Sequence, residues 1–318
     1  MGDWRPGTDL ATLKRRANLL AWVREFFAGR HVLEVDTPIL GATGGTDPAI
    51  DCLQTVDGLV LQSSPEYFMK RLLAAGSGPI FQIARAFRAE EAGRLHNPEF
   101  LLLEWYRPNF DDFALMAELD ALLAPLLDGF PARRMRFRDL LGERLGVDPL
   151  EAPVARLMLA LNRHFQQAGR EADVLTLTGG DRRAVLDLAY AEAIDGVAGA
   201  VFIHDFPPEQ AALARLRTDT RGGQVAARFE LIVDGIELAN GYHELLDAAE
   251  QRRRFDVDLA RRNAAGRWVP AVDERLLAAL ESGLPDCAGV ALGLDRVLLL
   301  MTGATDLDAV LPFGRLRL

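Results

Sequence analysis

The stretch 81-FQIARAFRAEEAGRLHNPEFLLLEWYRP-108 decides how this chain is read. Two apolar runs flank a charged, glycine-containing loop, a pattern that predicts strand, polar loop, strand. Side chains alternate along a strand, so positions 100, 102, 104 and 106 share one face. A core strand has no use for Glu104 and Tyr106 beside Phe100 on that face, whereas a binding site does. Arg88 can meet a phosphate, Glu90 can accept from an amino group, His96 and Asn97 lie in the loop, and Phe100 offers a ring. Together these groups suit a triphosphate, an adenine and an amine.

Two later segments make the same demand. In 235-GIELANGYHELLDAAEQ-251, Glu237 and Glu244 flank Asn240-Gly241. Asn-Gly is a strong turn signal, so a bend there is expected to bring the two carboxylates together. Paired hard oxygen ligands beside phosphate suit Mg2+. In 289-GVALGLDRVLLLM-301, a short strand is predicted to run into a helix. Gly289 and Gly293 allow close backbone approach to a ligand. Asp295 is expected to cap the helix, leaving Arg296 as a fixed cation.

These three segments, in this order, resemble motif 2, the metal-binding strand and motif 3 of class II aminoacyl-tRNA synthetases, most nearly the lysyl branch. Within that branch the chain is similar to the free-standing paralogue family that modifies translation elongation factor P. The likeness runs from about Leu10 to Leu311 and is weakest over about 138–200. It implies an α+β fold, with an antiparallel β-sheet flanked by helices. It also implies one catalytic domain over 1–318, with a mainly helical insertion at about 111–200. The anticodon-reading OB domain of full lysyl-tRNA synthetases is expected to be absent, because the motif 1-like strand begins near residue 31.

The resemblance implies a role for each site residue. Arg88 would contact the α-phosphate and the substrate carboxylate. Arg296 would contact the γ-phosphate and stack on adenine, with Phe100 on the opposite face of the base. Glu90 would accept from the adenine amino group. His96 and Asn97 would steady the triphosphate, and Leu238 and Gly293 complete the ATP-binding set. Glu237 and Glu244 would hold Mg2+. Ser64, Pro65 and Glu66 form an SPE segment that touches the amino acid, and Glu104, Tyr106, Glu244 and Ala291 complete that pocket. Several carboxylates imply a substrate with two ammonium groups. Two positions depart from lysyl-tRNA synthetases: Ala291 stands where they usually have glycine in GxGxDR, and Ala249 where they generally have glutamate. Ala291 matches the elongation factor P-modifying family, which implies (R)-β-lysine, activated with ATP and passed to a lysine ε-amino group of elongation factor P. No general base is needed for adenylation, since a carboxylate is already an anion.

Size and composition are compatible with this. The chain has 318 residues and 34.9 kDa, with 49% hydrophobic and 26% charged residues. Its net charge of −10 and pI near 5.1 argue against a phosphate-gripping nucleic-acid surface, so tRNA is not the expected acceptor. Three basic clusters, Lys14-Arg15-Arg16, Arg133-Arg134-Met135-Arg136 and Arg252-Arg253-Arg254, read as solvated faces. Two distant cysteines, Cys52 and Cys287, form no metal pattern and suit reduced thiols in the cytoplasm. No apolar run approaches the roughly 18 residues of a membrane span.

Elsewhere, residues 9–30 read as an amphipathic helix and 31–35 as a strand closing on Asp36-Thr37-Pro38. That unit resembles class II motif 1 and so implies a homodimer. Residues 41–48 read as a loop and 58–62 as a strand. Ser64 is expected at a helix N-cap with Pro65 at the first helical position. Residues 201–207 and 228–238 read as strands and 274–280 as part of a helix. His31, His164, His204 and His243 read as structural. Two other functions stay open: a truncated synthetase charging tRNA with lysine, and a catalytically inert binding module on the same fold.

Overall fold

A computed structural model describes residues 4–89 and 93–317, apart from the Leu316 side chain. Glu90 therefore lies outside the described residues. In chain order the first elements are α1 (Leu10–Ala28), β1 (Leu33–Glu34), β2 (Leu40–Gly41), β3 (Val60–Leu61), α2 (Glu66–Ala74), β4 (Ile80–Phe87) and β5 (Glu99–Pro108). Then come α3 (Asp112–Leu123), β6 (Arg133–Arg136), α4 (Phe137–Leu145), α5 (Val154–Gln167), α6 (Val174–Thr178), α7 (Arg182–Ile194), β7 (Ala200–Phe206), β8 (Leu216–Thr218), β9 (Gln224–Val233) and β10 (Ile236–His243). The last are α8 (Ala248–Ala264), α9 (Glu274–Gly283), β11 (Cys287–Gly293) and α10 (Leu294–Thr302). The fold is α+β, with mostly antiparallel strands flanked by helices, as the sequence reading expects.

The chain divides into two compact units. One comprises Met1–Asp111, Pro125–Leu127 and Leu246–Leu318, the other Asp112–Ala124 and Asp128–Leu245. In the first, β4 and β5 form an antiparallel hairpin, β11 pairs antiparallel with β5, and β1 pairs parallel with β4. The alternating apolar side chains of this sheet meet α1. Phe27 stacks on Phe81 at 4.6 Å between ring centres and touches Trp105 at 5.4 Å. All three are buried, and burying large aromatic rings contributes several kcal/mol of the hydrophobic stabilisation, roughly 25 cal/mol per Å2. Asp9 caps α1 by accepting from Thr12 N–H at 2.7 Å. The loop before β3 is held by Arg262 of α8, which is fully buried and donates to the carbonyls of Asp47, Ile50 and Trp268 and to the Asp51 carboxylate.

In the second unit β7 pairs antiparallel with β9, β9 with β10 and β8, and β6 runs parallel to β7. Helices α4, α5 and α7 cover this sheet, burying Phe137, Leu161, Phe165, Leu186, Phe206 and Ile232. The region 111–200 holds α3, α4, α5, α6 and α7 and also supplies the strand β6.

Three local expectations change. The single strand read over 228–238 is two strands, because Asp234 and Gly235 both take positive φ (48° and 77°) and turn the chain between β9 and β10. Asn240-Gly241 makes no turn and lies inside β10. Asp295 does not cap α10. Gly293 occupies the N-cap, and the buried Asp295 carboxylate instead accepts from Leu101 N–H at 2.8 Å and from Arg16 at 2.6 Å. It thereby ties α10 to β5 and α1.

Candidate active site

The site residues fall into two sets, one in each unit. In the first unit, α2 starts at Glu66 with Pro65 at its N-cap, one residue later than expected. Ser64 still serves the helix start, because its Oγ accepts from Glu66 N–H at 3.0 Å. The same hydroxyl donates to Glu104 Oε2 at 2.8 Å, and Tyr106 Oη donates to Glu104 Oε1 at 2.7 Å. Alternation along β5 thus puts Glu104 and Tyr106 on one face, with both carboxylate oxygens engaged. Ala291 of β11 lies directly opposite Glu104 and Gly289 opposite Tyr106. Opposed residues of an antiparallel pair share a face with Cβ atoms about 5 Å apart, so the Ala291 methyl lies on the same face, beside the root of the Glu104 side chain.

Glu104 is almost fully buried. Burial pushes its carboxyl up to about 7, and the nearby Glu66 charge adds to the rise. The folded protein therefore holds this proton to near pH 7, while an unfolded chain releases it near 4.5. The stability contributed by the raised carboxyl is present below about 4.5 and is lost as pH rises through about 7. We expect Glu104→Gln to melt higher than wild type at pH 8 and close to it at pH 5. Parallel pH profiles of melting temperature for the two proteins would contradict this.

Sequence reasoning missed Lys70. It lies one turn after Glu66 on α2, is 2% exposed, and donates from Nζ to Glu66 Oε1 at 2.6 Å. The i, i+4 spacing of a carboxylate before a lysine was the available signal.

The β4–β5 loop carries the phosphate candidates. Arg88 N–H donates to Pro98 O at 3.0 Å, closing the hairpin, and Ala89 N–H donates to Asp51 O at 2.7 Å. The Arg88 guanidinium lies 5.0 Å from the Phe100 ring centre, a cation–π distance that aims the cation. Arg296, in the first turn of α10, donates from Nε to Leu95 O at 3.2 Å, and its Nη2 lies 2.9 Å from His96 Nε2. Asn97 is buried and braces the loop, donating to Glu99 O and accepting from Arg315 N–H. Gly293 has φ −75°, which any residue adopts.

In the second unit, a β-bulge between Glu237 and Ala239 breaks the alternation of β10. Glu237 faces Ile232, while Asn240 and Tyr242 face Glu230 and Arg228. These pairings put Glu237, Asn240 and Tyr242 on one face, and continued alternation puts Glu244 there too. The bulge, rather than an Asn-Gly turn, aligns the two carboxylates, and Leu238 is the bulged residue. Glu230, buried on the same face, accepts from Tyr190 Oη at 2.8 Å and pairs with Arg228. Burial, then the Glu237 charge, pushes its carboxyl up to about 7. Among the described residues no group of three or more His, Cys, Asp or Glu side chains is arranged for a metal. Two aligned carboxylates nevertheless suit Mg2+, which commonly takes one or two protein carboxylates and fills its shell with water and substrate phosphate.

Comparison with known proteins gives concordant matches. The family model for tRNA synthetases class II (D, K and N) matches residues 3–317. The chain is 43% identical to the elongation factor P–(R)-β-lysine ligase of Edwardsiella ictaluri (strain 93-146), over 99% of this chain and 98% of that protein. It is 42% identical to the protein of the same name from Pasteurella multocida (strain Pm70), over 98% and 97%. For that of Photorhabdus laumondii subsp. laumondii the identity is 43%, again over 98% and 97%.

Proposed function

This chain belongs to the class II tRNA synthetases of the D, K and N group, and from that premise we propose that it is an ATP-dependent, AMP-forming ligase for elongation factor P. It activates (R)-β-lysine as an aminoacyl-adenylate and transfers the β-lysyl group to a lysine ε-amino group of that protein. The observation that carries the reading is the hydrogen-bonded Glu104–Tyr106–Ser64 cluster, with Ala291 opposite Glu104 on the same sheet face. Such a cluster suits an ammonium group, and the chain departs from the lysyl pattern by the added methyl of Ala291 and by Ala249 in place of a glutamate.

The chemistry needs alignment and charge neutralisation more than a protein nucleophile. The amino-acid carboxylate attacks the α-phosphorus and pyrophosphate leaves. In the second step the acceptor amine attacks the adenylate carbonyl, AMP leaves and the nitrogen gives up a proton. Arg88 is suited to the α-phosphate because its planar fork matches phosphate oxygens. Arg296, pinned beside His96, is suited to the γ-phosphate, and Phe100 to the adenine ring. Glu237 and Glu244 would hold Mg2+, which offsets phosphate charge and orients the leaving pyrophosphate. Glu104 and Glu66 would read ammonium groups.

The whole chain is read as one catalytic domain with an insertion over about 111–200. A homodimer is supported by the apolar side chains exposed beside α1 and β1, namely Leu33, Ile39 and Leu40. Cytoplasmic residence is supported by two free thiols. No helix among the described residues is long and apolar enough to cross a membrane. Against tRNA as acceptor stands the charge of −10. Several of the clustered arginines are also engaged within the chain: Arg16 with Asp295, Arg252 with Glu274, and Arg253 and Arg254 with Glu250.

The test is ATP–pyrophosphate exchange with (R)-β-lysine and L-α-lysine side by side, followed by transfer to purified elongation factor P. Preference for (R)-β-lysine and a mass increase on the acceptor are expected. Charging of tRNA at the rate of a lysyl-tRNA synthetase would overturn the reading. In the same assay Ala291→Gly is expected to shift the ratio of specificity constants towards L-α-lysine by about tenfold, since a pocket methyl is worth roughly 1–3 kcal/mol. An unchanged ratio would remove Ala291 from selectivity.

A further inference from the structure

The Glu66 carboxylate, one of the two acids the ligase reading places against substrate ammonium groups in this unit, already has a cationic partner inside the protein. Lys70 Nζ lies 2.6 Å from Glu66 Oε1, with the lysine side chain 3% and the glutamate side chain 15% exposed. A buried ammonium costs several kcal/mol to desolvate, so the fold would not keep Lys70 there without its carboxylate. The exposures are unequal in an informative way: the lysine is sealed, and the glutamate is the member that still reaches solvent. Helix geometry explains the pairing, because residues four apart on α2 stack on one side. Ser64 fixes the other end of the arrangement, holding Glu66 N–H with one lone pair while its proton goes to Glu104. Glu66 is thus gripped at its backbone by Ser64 and at one carboxylate oxygen by Lys70.

We propose that Lys70 is a positioning residue for amino-acid binding: it locks Glu66 through Oε1, so that the remaining oxygen is presented to a substrate ammonium in one orientation. The assignment rests on the ligase reading. Lys70 makes no substrate contact of its own. A second consequence is electrostatic. With Lys70 beside it, Glu66 adds less repulsion to Glu104, so Glu104 can give up its proton when an ammonium arrives. Lys70 therefore acts through Glu66 on both carboxylates, and its influence belongs to amino-acid binding and not to ATP.

A double-mutant cycle on Glu66 and Lys70 tests this by ATP–pyrophosphate exchange. Wild type, Lys70→Met, Glu66→Gln and the double variant are compared, using whichever of (R)-β-lysine and L-α-lysine the wild type prefers. Lys70→Met is expected to raise KM for the amino acid at least about tenfold, with KM for ATP within about twofold of wild type. In the Glu66→Gln background the same change should have little further effect, within about twofold, because the group through which Lys70 acts is gone. Lys70→Arg keeps the charge and should restore most of the affinity. Should Lys70→Met or Glu66→Gln fail to fold, since each leaves half of a buried pair, Lys70→Arg and the double variant carry the comparison. Lys70→Arg is expected to keep KM for the amino acid within about threefold of wild type and the double variant to raise it at least about tenfold, and a double variant with wild-type KM overturns the proposal. Equal losses in the two backgrounds, or a KM for the amino acid unmoved by Lys70→Met, would overturn the proposal and leave Lys70 a packing residue. A wild-type protein that exchanges with neither amino acid would instead remove the ligase reading itself, a failure distinct from an additive cycle in an active enzyme.

Discussion

Arg88→Ala is expected to lower ATP–pyrophosphate exchange by about a thousandfold while leaving the melting temperature within a degree or two of wild type. Adenylate formation brings two anions together, and a fixed guanidinium offsets that charge most strongly where it peaks, in the transition state. Removing one such preorganised donor typically costs about 100- to 1,000-fold, and a full cation belongs at the upper end. The fold keeps its shape because the strand contacts here are made by the Arg88 backbone, whose N–H closes the hairpin on Pro98. Its side chain lies over the Phe100 ring in a cation–π contact, worth about 0.5–1 kcal/mol where solvent still reaches the pair. Arg88→Lys should recover little, since a point charge lacks the fork. An Arg88→Ala enzyme with exchange near wild type would place the phosphate contact elsewhere.

Asp295→Ala has the largest expected effect on stability, about 3–5 kcal/mol. The carboxylate is 3% exposed and serves two elements, accepting from Arg16 of α1 and from the Leu101 backbone of β5. Its loss leaves a guanidinium with little access to water and a buried N–H without an acceptor, the costly side of removing half of a buried pair. Asp295→Asn keeps an acceptor for Leu101 and should lose less. Urea unfolding midpoints would measure both, with equal midpoints for wild type and Asp295→Ala counting against the account. Because Arg296 follows directly, exchange activity should fall in Asp295→Ala even at temperatures where the protein remains folded.

Much of the first unit was legible in the sequence, because its signals are local. The alternation in 100–106 fixes which residues share a face, and the structure pairs Glu104 with Tyr106 accordingly. The α1 helix, read over 9–30, follows from its apolar spacing in the same way, while the role of Asp9 as its cap came from the structure. What escaped depends on groups distant in sequence. Asp295 has the residue type and position of a helix-terminal acid, yet Leu101 and Arg16 claim it, and neither is near it in the chain. Lys70 was legible as an i, i+4 partner, but its burial was not. Asn240-Gly241 carries a turn signal that β-sheet pairing overrides, while Asp234-Gly235, an equally good signal, is where the chain turns. Turn propensity names candidates, and the strand pairing on either side chooses among them.

The bulge at Leu238 has a consequence for how this protein can vary. Loops elsewhere can gain or lose a residue and leave the chemistry alone, since loop closure changes slowly with length. Between Glu237 and Glu244 that freedom is absent. One residue inserted or deleted there, with the strand pairing kept, would send one carboxylate to the opposite side of the sheet, and every side chain beyond the change would follow it. The spacing of the two glutamates is therefore a reading frame: length in this segment can change only in pairs of residues if both acids are to stay on duty.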